Sequence, residues 1–83
     1  MSTSEKVAKI TKLKIKELLA DYLGTEVDEI AEDDSLREDF HMKATEMADF
    51  TEVLETEGIN TSSLDFTNIE TVEELFDALN LSD

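Results

Sequence analysis

Chemistry in this chain has to be sought among carboxylates, because 22 of its 83 residues are Asp or Glu and none is cysteine. That composition removes disulfides, thiolate metal sites and a cysteine nucleophile. The single histidine, His41, has no nucleophile elbow to serve, so no serine triad can be assembled, and no glycine-rich phosphate loop is present. A lone loop histidine among carboxylates is ordinarily a solvated surface residue. The acidic run Asp28, Glu29, Glu32, Asp33 and Asp34 lacks the D-x-[DN]-x-[DN]-G spacing of a calcium loop, so it offers weak, nonspecific cation binding and no metal centre. The chain is therefore not expected to be an enzyme. What remains is recognition: Met47, Phe50 and Leu54 recur at i, i+3 and i+7, while Glu46, Asp49, Glu52 and Glu55 fall off that stripe. An anionic strip of that kind attracts basic protein surfaces, with Met42, Met47 and Ala48 as its apolar neighbours.

Three amphipathic segments must position these groups. Ser2 and Glu5 have capping-box spacing, and Val7, Ile10, Leu13, Ile15, Leu18, Leu19 and Tyr22 give a broad apolar stripe, so a first helix is expected from near residue 4 to the stop at Gly24. Residues 24–43 carry isolated anchors at Val27, Ile30, Leu36 and Phe40, the pattern of a long ordered loop. Within it, Ser35 and Glu38 predict one short helical turn. A second helix is expected from Ala44 to Glu57, ended by Gly58. A turn anchored by Leu64 and Phe66 follows, and then a last helix capped by Thr67 with Glu70 or by Thr71 with Glu74, whose Val72, Leu75, Phe76 and Leu79 form its apolar face. The fold class is all-α: a single domain over 1–83 with three main helices plus one short helix, in which 1–12 is a basic N-terminal extension of the first helix.

Charge is unevenly placed. The net charge is −15, and residues 1–16 hold five lysines against one glutamate, a net +4, which leaves −19 on the rest. Such a body repels nucleic acid and anionic membranes and favours proteins with Lys/Arg patches. No run is long and apolar enough to cross a bilayer, and the first residues lack the apolar core of a secretory signal, so a cytoplasmic monomer is expected.

The pattern Leu23-Gly24, Val27, Ile30, Ser35-Leu36 and Glu38-Asp39-Phe40, followed by the second helix and by IETVEELFDAL at Ile69 to Leu79, resembles the acyl carrier protein family over roughly residues 13 to 80. The resemblance implies a helical bundle that carries 4'-phosphopantetheine on the serine of a Gly-x-Asp-Ser-Leu motif at the start of the second helix. Here His41, Lys43, Ala44 and Thr45 fill the glycine, aspartate, serine and leucine positions. Ala44 has no hydroxyl, so a transferase that works through a serine oxygen cannot load it. Three explanations stand side by side: a natural carrier-like protein that never carries a group, a serine replaced deliberately to block modification, and attachment at Thr45. Lys43 cannot accept a hydrogen bond as the family's aspartate does, and its charge opposes the helix dipole.

By resemblance, then, the expected function is a module that presents position 44 and the acidic face of the second helix (Glu46, Met47, Asp49, Glu52, Glu55) to basic enzymes of fatty acid or polyketide-type synthesis, including phosphopantetheinyl-transferring ones. As written it has no cofactor; with serine at position 44 it would be a carrier. Its acyl chain would then be sheltered among Ile15, Leu19, Phe50, Leu54, Ile69, Val72 and Phe76. The alternative is a non-carrying adaptor or decoy on the same fold. A third reading, a nucleic-acid mimic that blocks a basic protein, rests on the net charge alone.

Overall fold

Thr11 caps the first helix: its backbone is extended and its hydroxyl accepts the Lys14 N–H at 3.2 Å, ahead of α1 over Lys12–Leu23. The computed structural model describes residues 10–81. Ile10 and Thr11 lie outside the helix. A continuous helix from residue 4 is thus corrected, because a threonine with an acceptor hydroxyl and extended backbone starts a helix rather than continuing one. The Ser2–Glu5 pair lies outside the described residues. Gly24 ends α1 in the left-handed region, at φ 73°, and the Thr25 N–H reaches back to the Ala20 carbonyl at 2.9 Å.

The loop after α1 is long but pinned. A 3₁₀ turn spans Val27–Glu29, with Ile30 buried just beyond it. The Ser35 hydroxyl accepts the Glu38 N–H at 3.1 Å, yet the Ser35 N–H donates to the Asp39 carboxylate at 2.6 Å rather than to that of Glu38. One hydrogen-bonded turn results, not a helix. Leu36 and Met42 then drop into the core, and the Met42 N–H closes the segment on the Leu36 carbonyl at 3.0 Å.

Helix α2 spans Ala44–Thr56, and Ile59 packs back into the core just beyond Gly58. Two turns, closed by Leu64 on Thr61 and by Asn68 on Asp65, lead to α3 over Val72–Ala78. Phe66 sits in the second of these, so the short helical element of the bundle is the 3₁₀ turn of the first loop and not this connection. Of the two possible caps for the last helix, the fold uses Thr71 with Glu74: the Glu74 N–H donates to the Thr71 hydroxyl at 3.2 Å and the Thr71 N–H to the Glu74 carboxylate at 3.3 Å. Among the described residues the helices account for the architecture, with one isolated bridge between Ser35 and Thr71 and no strand.

Apolar periodicity explains how these pieces meet. Ile15 and Leu19 from α1, Phe50 and Leu54 from α2, and Val72, Leu75 and Phe76 from α3 are all but fully buried in one cluster. Burying each such side chain favours the fold by about 1.5–3 kcal/mol before entropy is counted. Tyr22 of α1 lies against Phe50 of α2, ring centres 5.8 Å apart and tilted by 50°. The Lys14 ammonium stands 3.8 Å from the Glu57 carboxylate, across an exposed part of the same junction.

Candidate functional site

Position 44 is the first residue of α2, and both Ala44 and Thr45 are exposed. Lys43 is the N-cap residue. Its backbone has the extended geometry of a cap (φ −93°, ψ 178°), but its side chain offers no acceptor to the first turn. The helix is capped from the other side alone, by Glu46, whose carboxylate accepts the Lys43 N–H at 2.7 Å. His41, two residues upstream of the cap, is exposed and adopts φ 57°. Positive φ is tolerated easily by glycine and at a cost by histidine.

The acidic residues do not form a straight strip. A step of three residues falls about 60° short of a helical turn, so Glu46, Asp49, Glu52 and Glu55 wind across the outer face of α2. Their surroundings differ accordingly. Glu46 is half-buried and occupied by capping. Asp49 lies beside Tyr22: partial burial of the phenol, the charges of Asp49 and Glu46, and a hydrogen bond to Asp49 together raise its pKa above the ordinary value of 10.0. Glu55 accepts the Thr61 hydroxyl at 2.8 Å on the opposite flank. Glu52, between them in sequence, is exposed.

Met47 requires a correction. The expectation placed it on the partner face, but it is buried with Phe50 and Leu54, and Met42 is buried as well. Both belong to the apolar stripe and contribute to the core, so the outer face of α2 offers Ala44, Thr45 and Ala48 as its small, uncharged surface. The seven residues expected to shelter an acyl chain are likewise the packed core, none more than 4% exposed. Of the seven, Ile69 lines a surface cleft of about 320 Å³, walled by Asp65, Glu74 and Asp77. There, hydrogen bonds from the Thr67 hydroxyl and N–H hold the Asp65 carboxyl below its ordinary value of 3.8.

A second cleft, of about 460 Å³, opens directly at the candidate site between Arg37, His41, Met42, Lys43 and Ala44. Arg37 was not singled out by motif reading, since it belongs to no recognisable pattern. The signal that would have found it is arithmetic: Arg37 and Lys43 are the only basic residues after Lys16. The fold brings them together by anchoring Arg37 to the Phe66 carbonyl at 3.1 Å, a link between residues 29 apart in sequence.

Covalent phosphopantetheine needs a protein oxygen, and Ala44 presents a methyl group. The residues present do not fit that group at position 44, although the neighbouring Thr45 has an exposed hydroxyl. No described helix is long and apolar enough to cross a membrane, and no group of three or more potential ligands among the described residues could hold a metal ion. The chain matches no protein-family model and no curated protein.

Proposed function

We propose that this chain is a carrier-type docking module, which presents position 44 and the acidic outer face of α2 to basic surfaces on enzymes of fatty acid or polyketide-type synthesis, and which docks without carrying an acyl group. The observation that carries the reading is the division of α2 into two faces: Phe50 and Leu54 are packed in the core, while Asp49, Glu52 and Glu55 are exposed along a helix that begins at the exposed position 44. Charge pairing of this kind speeds encounter and selects partners more than it adds affinity. Two further features support the likeness to acyl carrier proteins. His41 takes a positive φ where that family has glycine, and Ala44 starts α2 where the family has its modified serine.

Ala44 itself favours the docking role over loading, and so favours an adaptor or decoy among the module's possible uses. Titrating labelled protein with a phosphopantetheinyl transferase tests the docking reading. Amide shifts confined to α2 are expected, and Glu52→Lys should abolish them by reversing a charge of the docking face; among the described residues Glu52 makes no side-chain hydrogen bond or ion pair that the substitution would break. Shifts centred elsewhere, or an E52K variant that binds unchanged, would refute the reading. An Ala44→Ser variant incubated with the transferase and coenzyme A then separates carrier ancestry from mimicry: a gain of one phosphopantetheine in intact mass is expected for the former.

A further inference from the structure

We infer that the cleft between Arg37, His41 and Lys43 is a binding site for a phosphate group borne by a small molecule, beside position 44 and formed by residues other than the acidic ones of α2. Residues 17–83 carry a net −19, yet their only two basic side chains line the same cleft. Among the described residues no carboxylate lies within ion-pair distance of Arg37 or Lys43, and the ion pair found there, Lys14 with Glu57, lies elsewhere. In a chain where more than a quarter of the residues are acidic, two cations left without a carboxylate and gathered on one concave surface mark a place where an anion is wanted.

The donors suit a tetrahedral anion with several acceptor oxygens. The Arg37 guanidinium is held in position by the Phe66 carbonyl through one nitrogen, which leaves its other N–H groups for a ligand. The Lys43 ammonium supplies a point charge with three donors and makes no ion pair among the described residues. The His41 imidazole lines the same wall and also borders a neighbouring cleft with Leu23 and Phe40. The first-turn N–H groups of α2 add to this set because the Lys43 side chain cannot satisfy them. At about 460 Å³ the cleft falls within the range of small-molecule sites, roughly 300–1,000 Å³, so it has room for an organic substituent beside the phosphate. The acidic body repels anions at long range, which confines recognition to these direct contacts.

The test is a titration of the full chain, followed by amide and side-chain resonances, with inorganic phosphate, with glycerol phosphate, and with chloride at matched ionic strength. Saturable shifts at Ala44, Thr45, the His41 ring and the Arg37 guanidinium are expected with both phosphates and not with chloride. Tighter binding of glycerol phosphate would identify the organic phosphate as the ligand class; equal binding would identify the phosphate group alone. Lys43→Gln should weaken binding by at least about tenfold, the loss of one charge-assisted contact. It removes no contact within the fold, so its effect cannot be confused with the loss of the Arg37–Phe66 tie. Chloride shifts that match those of phosphate, shifts spread over the α1 lysines, or a K43Q variant that binds like the parent would overturn the assignment.

Discussion

Lys43 donates its backbone N–H to the Glu46 carboxylate at 2.7 Å, yet its side chain offers no acceptor to the first turn of the helix it caps. Half of a capping box is present, at the point where the candidate site lies. Replacing Lys43 with aspartate or serine supplies the missing acceptor in a backbone geometry already suited to it, and should stabilise the protein by about 1 kcal/mol. Glu46→Ala should cost a similar amount, since it removes the half that exists. Urea midpoints of the three variants check both statements, and a K43D protein no more stable than the parent would contradict the cap assignment.

Backbone handedness gives an opposite pair of effects. Gly24 adopts φ 73° with open space where a Cβ would stand, so Gly24→Ala meets no clash and its cost, about 1 kcal/mol, is that of the left-handed backbone alone. His41 already bears that cost at φ 57°. His41→Gly should therefore be neutral or stabilising by up to about 1 kcal/mol, relief of strain being offset in part by the greater freedom of glycine in the unfolded chain. Thermal unfolding should place G24A below the parent and H41G at or above it.

A net charge of −15 on 83 residues opposes compaction. Sodium chloride should raise the thermal midpoint by screening, and magnesium should raise it further at equal ionic strength. A midpoint that does not change between low and high salt would show that self-repulsion is negligible here.

Asp65 gives the acid limb of stability a specific residue. Its folded pKa lies below 3.8, so the ionised form is favoured by folding. The resulting stability is present above the unfolded value and is lost as pH falls through the lowered folded one. An Asp65→Asn variant should be less stable than the parent at neutral pH and should converge on it below about pH 3.8. Parallel stability curves across that range would mean that Thr67 and Asn68 do not favour the charged form.

The helices were legible because each carries its own signal. Phe50 and Leu54 repeat at helical spacing, and Gly24, Gly58 and the Thr71–Glu74 pair punctuate the ends, so α2 and α3 fall where periodicity and capping put them. The start of α1 was misplaced because an apolar stripe continues upstream of Thr11, and periodicity alone cannot reveal which of several capping residues the backbone uses. Met47 was misassigned for a related reason: it belongs both to the apolar stripe and to the neighbourhood of the acidic residues, and packing decides in favour of the stripe. The Arg37–Lys43 cleft depends on a bond between Arg37 and Phe66 that no local pattern encodes.

The carbonyls of Glu32 and Asp34 receive the first two N–H groups of α3, from Glu73 at 2.8 Å and Val72 at 3.1 Å, while the Leu36 N–H returns to the Glu70 carbonyl at 2.8 Å. A seven-residue helix is too short to persist alone in water. Its existence therefore depends on the loop almost forty positions earlier, and the two should form and melt as one cooperative unit. In native-state hydrogen exchange, the amides of Leu36, Val72 and Glu73 should open together with a common free energy, while the far end of α2 keeps its own. The acidic loop, which reads along the chain as a connector, thus serves as the template on which the last helix is nucleated.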